Sequence, residues 1–63
     1  MRTYQFDLLN KGGLRACLCL TACATDFEAV SRAVSMLATP YIRVKVWRGD
    51  VMIHDEIRSN LPN

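Results

Sequence analysis

Polar and apolar residues alternate from Thr3 to Leu9. Tyr4, Phe6 and Leu8 share one face, and Thr3, Gln5, Asp7 and Leu9 share the other. A period of two marks a half-buried strand. Asn10-Lys11-Gly12-Gly13 follows, a turn sequence because glycine accepts the positive φ that hairpin loops demand. Leu14 to Cys23 then reads as a second extended run, apolar on both faces. The period changes after it. Thr25-Asp26-Phe27-Glu28 fits a capping box, and Phe27, Val30, Ala33, Val34 and Leu37 recur at helical spacing opposite Glu28, Ser31, Arg32 and Ser35. Pro40 disfavours helix at Thr39 and closes the segment. A helix of roughly 13 residues is marginal alone, so its apolar stripe needs a sheet to cover.

Alternation returns from Tyr41 to Arg48, with Ile42, Val44 and Val46 on one face and Tyr41, Arg43, Lys45 and Trp47 on the other. Gly49-Asp50 suits a two-residue turn with glycine first. If Arg48 pairs with Val51, Val46 meets Ile53 and Ile42 meets Ile57 on the core face. Trp47 then meets Met52, Lys45 meets His54 and Arg43 meets Glu56 on the outer face, leaving Asp55 as a polar intruder in the core.

The expected fold is therefore α+β: ββαββ, one helix covering one face of a four-stranded, mainly antiparallel sheet. A right-handed crossover between the second and third strands gives the order 2-1-3-4. The expected domain spans residues 1–58, with 59–63 as a short tail.

Three cysteines crowd into LRACLCLTAC, residues 14–23. The stretch ends like a lipoprotein cleavage signal, but Gln5, Asp7, Asn10, Lys11 and Arg15 interrupt everything before Ala16, so the required apolar region of roughly 7–15 residues is missing. No stretch approaches the ~20 apolar residues of a membrane span, and the expected compartment is the cytoplasm. A zinc site needs four ligands, and His54, the only histidine, would lie roughly three strand spacings, about 14 Å, from the cysteines. There is no C-x-x-C, and same-face i, i+2 cysteines span about 6.5–7 Å of strand, poorly placed for a disulfide. No metal and no cofactor are expected. The remaining role is packing, since free cysteine behaves as a small hydrophobe. Ala16, Leu18, Leu20 and Ala22 suit the helix side, which places Cys17 and Cys19 outside. The opposite parity exchanges the two sets, and the glycine-rich turn does not fix the register.

Composition adds one constraint. A chain of 63 residues with 51% hydrophobic residues can form a core. At this size, though, only about 60% of the unfolded surface is buried, and small domains commonly gain stability by association. The net charge of +2 is too small to imply a nucleic-acid or membrane partner. No phosphate-binding glycine loop is present, and His54, Asp55 and Glu56 form no triad because successive strand residues point to opposite faces. A non-catalytic protein is expected.

The expected functional surface is the outer sheet face, with Cys17, Cys19, Tyr41, Arg43, Lys45, Trp47 and Met52 as interface candidates. Trp, Tyr, Met and Arg are enriched at interfaces, and the expected partner is a second copy. The alternative is a single-stranded nucleic-acid platform of aromatics interleaved with Lys and Arg, which Asp7 and Glu56 on the same face oppose.

Two segments, TDFEAVSRAVSMLA (25–38) and VKVWRGDVMIH (44–54), together with Tyr4-Gln5-Phe6, resemble a set of small, uncharacterised alphaproteobacterial proteins. In those, an aromatic-alternating strand precedes a capped Ala-rich helix and a closing V-x-V-W-x-G segment. The resemblance implies the same ββαββ fold and carries no activity. Lys45 stands where those proteins are usually acidic, and their second strand is generally polar.

Overall fold

The computed structural model describes residues 1–38 and 40–58; Thr39 and the expected tail, 59–63, lie outside the described residues. The element order is β1 (Arg2–Asn10), β2 (Arg15–Cys23), α1 (Asp26–Ser35), β3 (Tyr41–Arg48) and β4 (Val51–Ile57). The four strands form one antiparallel sheet in the order β2-β1-β3-β4. The α+β, ββαββ arrangement is the one the hydrophobic pattern predicts.

Each element has a local cause. Asn10 closes the first hairpin: its Oδ1 accepts from the Gly12 and Leu14 backbone N–H groups at 2.9 and 3.2 Å, and Gly13 supplies the positive φ of 82°. Gly49, at φ 64°, gives the second hairpin its tight turn, where a side chain would be strained. At the helix start, Thr25 Oγ1 accepts from the Glu28 N–H at 3.1 Å, and Glu28 Oε1 accepts from the Ala24 N–H at 2.8 Å. This is the reciprocal logic of a capping box, shifted by one residue on the glutamate's side. The helix ends at Ser35, short of Pro40, because Met36 and Leu37 turn back with N–H bonds to Ala33 and Val34.

The core lies between α1 and one sheet face. Tyr4, Phe6, Leu8, Cys23, Ala29, Ala33, Val44 and Val46 are buried. Small Ala29 and Ala33 let the helix sit close to the sheet. The buried stripe is centred on them, and at about 100° per residue Phe27 falls on another side. Phe27 is 82% exposed, against its expected place in the core.

Asp26 ties the helix start to the sheet. Its Oδ1 accepts from the Tyr4 hydroxyl at 2.6 Å, and its Oδ2 pairs with Arg48. The Tyr4 hydrogen bond, then Arg48, holds the Asp26 carboxyl below its ordinary range, and the same bond pushes the Tyr4 phenol up. Asp55, held by Arg43, is also lowered. A carboxylate with a depressed folded pKa contributes stability that is complete above the unfolded value, about 4, and is lost as pH falls through the folded value. Urea midpoints are therefore expected to decline below about pH 4, and Asp26→Asn should flatten part of that decline. An equally steep acid limb in the variant would exclude the Asp26 pair as its source. Tyr4, raised instead, adds stability that is lost only as pH climbs above about 10.

Candidate functional site

α1 covers one sheet face, and no other described element covers the opposite one. The ladders arrange that uncovered face in rows across the strands. Leu20, Gln5, Trp47 and Met52 make one row. Leu18, Asp7, Lys45 and Asp55 make the next, and Arg15, Leu9, Arg43 and Ile57 the third. Large apolar side chains on this face are open to solvent: Leu20 66%, Ile57 54%, and Leu18 and Met52 44% each.

The charges between them are partly tied. Arg43 grips Asp55 with both ends of its guanidinium, Nε to Oδ1 at 2.9 Å and Nη2 to Oδ2 at 2.5 Å. This raises Arg43 further and lowers Asp55. Gln5 Nε2 donates to Asp7 Oδ1 at 2.9 Å, and Arg15 approaches the same carboxylate at 3.7 Å from the sheet edge. The Trp47 indole N–H is buried with no hydrogen-bond partner among the described residues, an uncommon state for a donor. At one end of the face, Leu9, Asn10, Lys11, Ile42, Arg43 and Lys45 line a shallow depression of about 250 Å³.

Arg43, Lys45, Trp47 and Met52 are thus brought together on the outer face, as expected. Cys17, Cys19 and Tyr41 are not. Cys17 pairs with Leu8 and Cys19 with Phe6, which puts both thiols on the helix side and Leu18 and Leu20 outside, the opposite parity to the favoured one. Packing accounts for the choice: β1 already places Tyr4, Phe6 and Leu8 under a short helix, and cysteine fills the remaining space with less volume than leucine. A bulge at Ile42, between the pairs Leu9–Arg43 and Asn10–Tyr41, turns Tyr41 to the helix side as well. Ile42, expected in the core, lines the outer depression instead.

The second hairpin differs from its expected register for a similar reason. Trp47 pairs with Met52, but Val46 pairs with His54, so Ile53 is an extra residue in β4. A bulge leaves one residue unpaired and re-aims those that follow. Asp55 leaves the core face and meets Arg43 and Lys45. Ile57 moves outward with it, opposite Arg43, and His54 and Glu56 turn to the helix side, bonded to each other at 2.9 Å. The isolated carboxylate that the straight register left in the core was the sign that the register could not be straight. Arg15, Leu18, Leu20, Ile42, Asp55 and Ile57 lie on the outer face without having been expected there.

The helix side also holds the thiols, packed in or against the core. Cys17 and Cys19 have their sulfurs 3.7 Å apart. The contact with Cys17 pushes the Cys19 thiol up, which favours its protonated, weakly nucleophilic form, and Cys17 likewise raises the phenol of Tyr41. Among the described residues, no group of three or more His, Cys, Asp or Glu is placed to hold a metal ion, and no helix is long and apolar enough to cross a membrane. Comparison with protein-family models, with curated proteins and with solved structures gave no match.

Proposed function

We propose that this chain is a non-catalytic, self-associating protein whose outer sheet face is the interface between two copies. The observation that carries the reading is the row Leu20, Gln5, Trp47 and Met52, flanked by Leu18 and Ile57, on a face that no described element covers. A sheet face of four strands at about 4.8 Å spacing and seven residues at about 3.4 Å projects on the order of 450 Å². Two copies would bury about 900 Å², close to the ~1,000 Å² at which specific interfaces begin. Three free cysteines suit a reducing compartment, and the reading places the protein in the cytoplasm.

Trp47 is the expected anchor, since buried aromatics carry a disproportionate share of association energy. Trp47→Ala should weaken self-association about 30-fold, corresponding to about 2 kcal/mol, as read by sedimentation equilibrium in reducing buffer. An unchanged association constant would contradict the interface.

A second reading, single-stranded nucleic acid, draws on the depression lined by Lys11, Arg43 and Lys45. The tie between Arg43 and Asp55 and the presence of Asp7 weaken it. A monomeric chain that bound an oligonucleotide with steep salt dependence would replace the first reading by this one.

A further inference from the structure

We infer that the second copy sits on the outer face by a half-turn about an axis running along the strands, between β1 and β3, with Asp7 of each copy opposite Lys45 of the other. The inference rests on the self-association reading and adds its geometry.

Row register supplies the argument. Gln5 and Trp47 lie side by side on the two central strands, and so do Asp7 and Lys45. Leu20 and Met52 end the first row on the two edge strands. A half-turn about the strand direction exchanges β1 with β3 and β2 with β4 while keeping each row in place. Leu20 then covers Met52 of the second copy, Gln5 covers Trp47, and Asp7 covers Lys45. Every one of these contacts occurs twice, as an isologous interface requires. Packed sheets keep their strands within about 30° of each other, so residues on the central strands, nearest the axis, stay opposed.

The other orientations are less well matched. A half-turn about an axis across the strands, through the Asp7–Lys45 row, places Asp7 on Asp7 and Lys45 on Lys45, and like charges facing one another repel. Shifting that axis by half the row spacing sets Asp7 over Gln5 and Lys45 over Trp47, so both charges lose water and gain no opposite charge. Only the axis along the strands answers the two central charges. Asp55 is gripped by two nitrogens of Arg43 in its own chain, whereas Asp7 has from its own chain only the Gln5 amide at 2.9 Å and the 3.7 Å approach of Arg15 from the sheet edge.

Two sets of variants test the geometry, each followed by circular dichroism and sedimentation. Asp7→Asn keeps an acceptor for Gln5 and changes only the charge. It should weaken self-association about tenfold, whereas either crosswise arrangement predicts unchanged or tighter association. Asp7→Lys and Lys45→Asp should each self-associate poorly, and a one-to-one mixture should regain the wild-type association constant, because one copy then presents two lysines to two aspartates of the other. If Trp47→Ala weakens association but Asp7→Asn does not, the face is right and the axis is wrong. A mixture no better associated than its components overturns the axis in the same way. If the wild-type chain is monomeric, the self-association reading itself fails.

Discussion

Phe6→Ala is expected to remove most of the folding stability of the chain at 25 °C. Phe6 is 1% exposed on the central strand β1, flanked by Cys19 on β2 and Val46 on β3, within the cluster that packs beneath Ala29 and Ala33. Truncating a buried phenylalanine costs about 3–5 kcal/mol, the lost transfer energy plus the cavity left behind. At the usual 0.05–0.15 kcal/mol per residue, 63 residues have on the order of 3–9 kcal/mol in total. The loss therefore takes most of the stability. Phe6→Leu, which leaves a smaller void, should remain folded with a lowered thermal midpoint. Both are read by thermal circular dichroism. A Phe6→Ala chain melting within a few degrees of wild type would mean that the core lies elsewhere.

The second large effect concerns association rather than folding. Leu20→Asp changes a side chain that is 66% exposed, so the isolated chain should tolerate it, with stability within about 0.5 kcal/mol as for ordinary surface substitutions. In the proposed dimer the same position is covered by Met52 of the second copy. A carboxylate there would be stripped of water without a partner, costing about 3 kcal/mol or more, which corresponds to over 100-fold in association. The contrast between an intact monomer and an abolished dimer is the signature sought. Coupled folding adds a further sign: a dimer has a thermal midpoint that rises with protein concentration, and in Leu20→Asp that dependence should vanish.

The pattern of the chain made the element order, the sheet order and the helix cap legible, because each rests on local chemistry or on chain handedness. Alternation of period two places Tyr4, Phe6 and Leu8 in the core whatever the neighbours do. Bulges were not legible as such. One residue inserted at Ile42 or at Ile53 leaves the alternation on each side intact and reverses the assignment of faces beyond it. Tyr41, His54, Asp55, Glu56 and Ile57 all changed faces in this way. β2 posed a different difficulty: with apolar residues on both faces, its parity depends on how much volume the helix leaves above β1, a tertiary quantity that periodicity does not contain. The interface candidates divided accordingly. Arg43, Lys45, Trp47 and Met52, which precede the shift in each ladder or lie clear of it, remained on the outer face, while Cys17, Cys19 and Tyr41 passed to the helix side.

The exchange gives the cysteines and the leucines separate roles. Thiols that hydrogen-bond each other under a helix contribute packing without needing a partner, and leucines on an open sheet gain only when something covers them. The same exchange separates association from oxidation. Leu18 and Leu20, rather than any thiol, face outward, so reductant should leave self-association unchanged.

Sedimentation equilibrium of the wild-type chain in reducing buffer, over a hundredfold range of concentration, shows whether two copies associate. A reversible approach to about 14 kDa, twice the 7.1 kDa of the chain, is expected. A mass of 7.1 kDa at every concentration would contradict self-association.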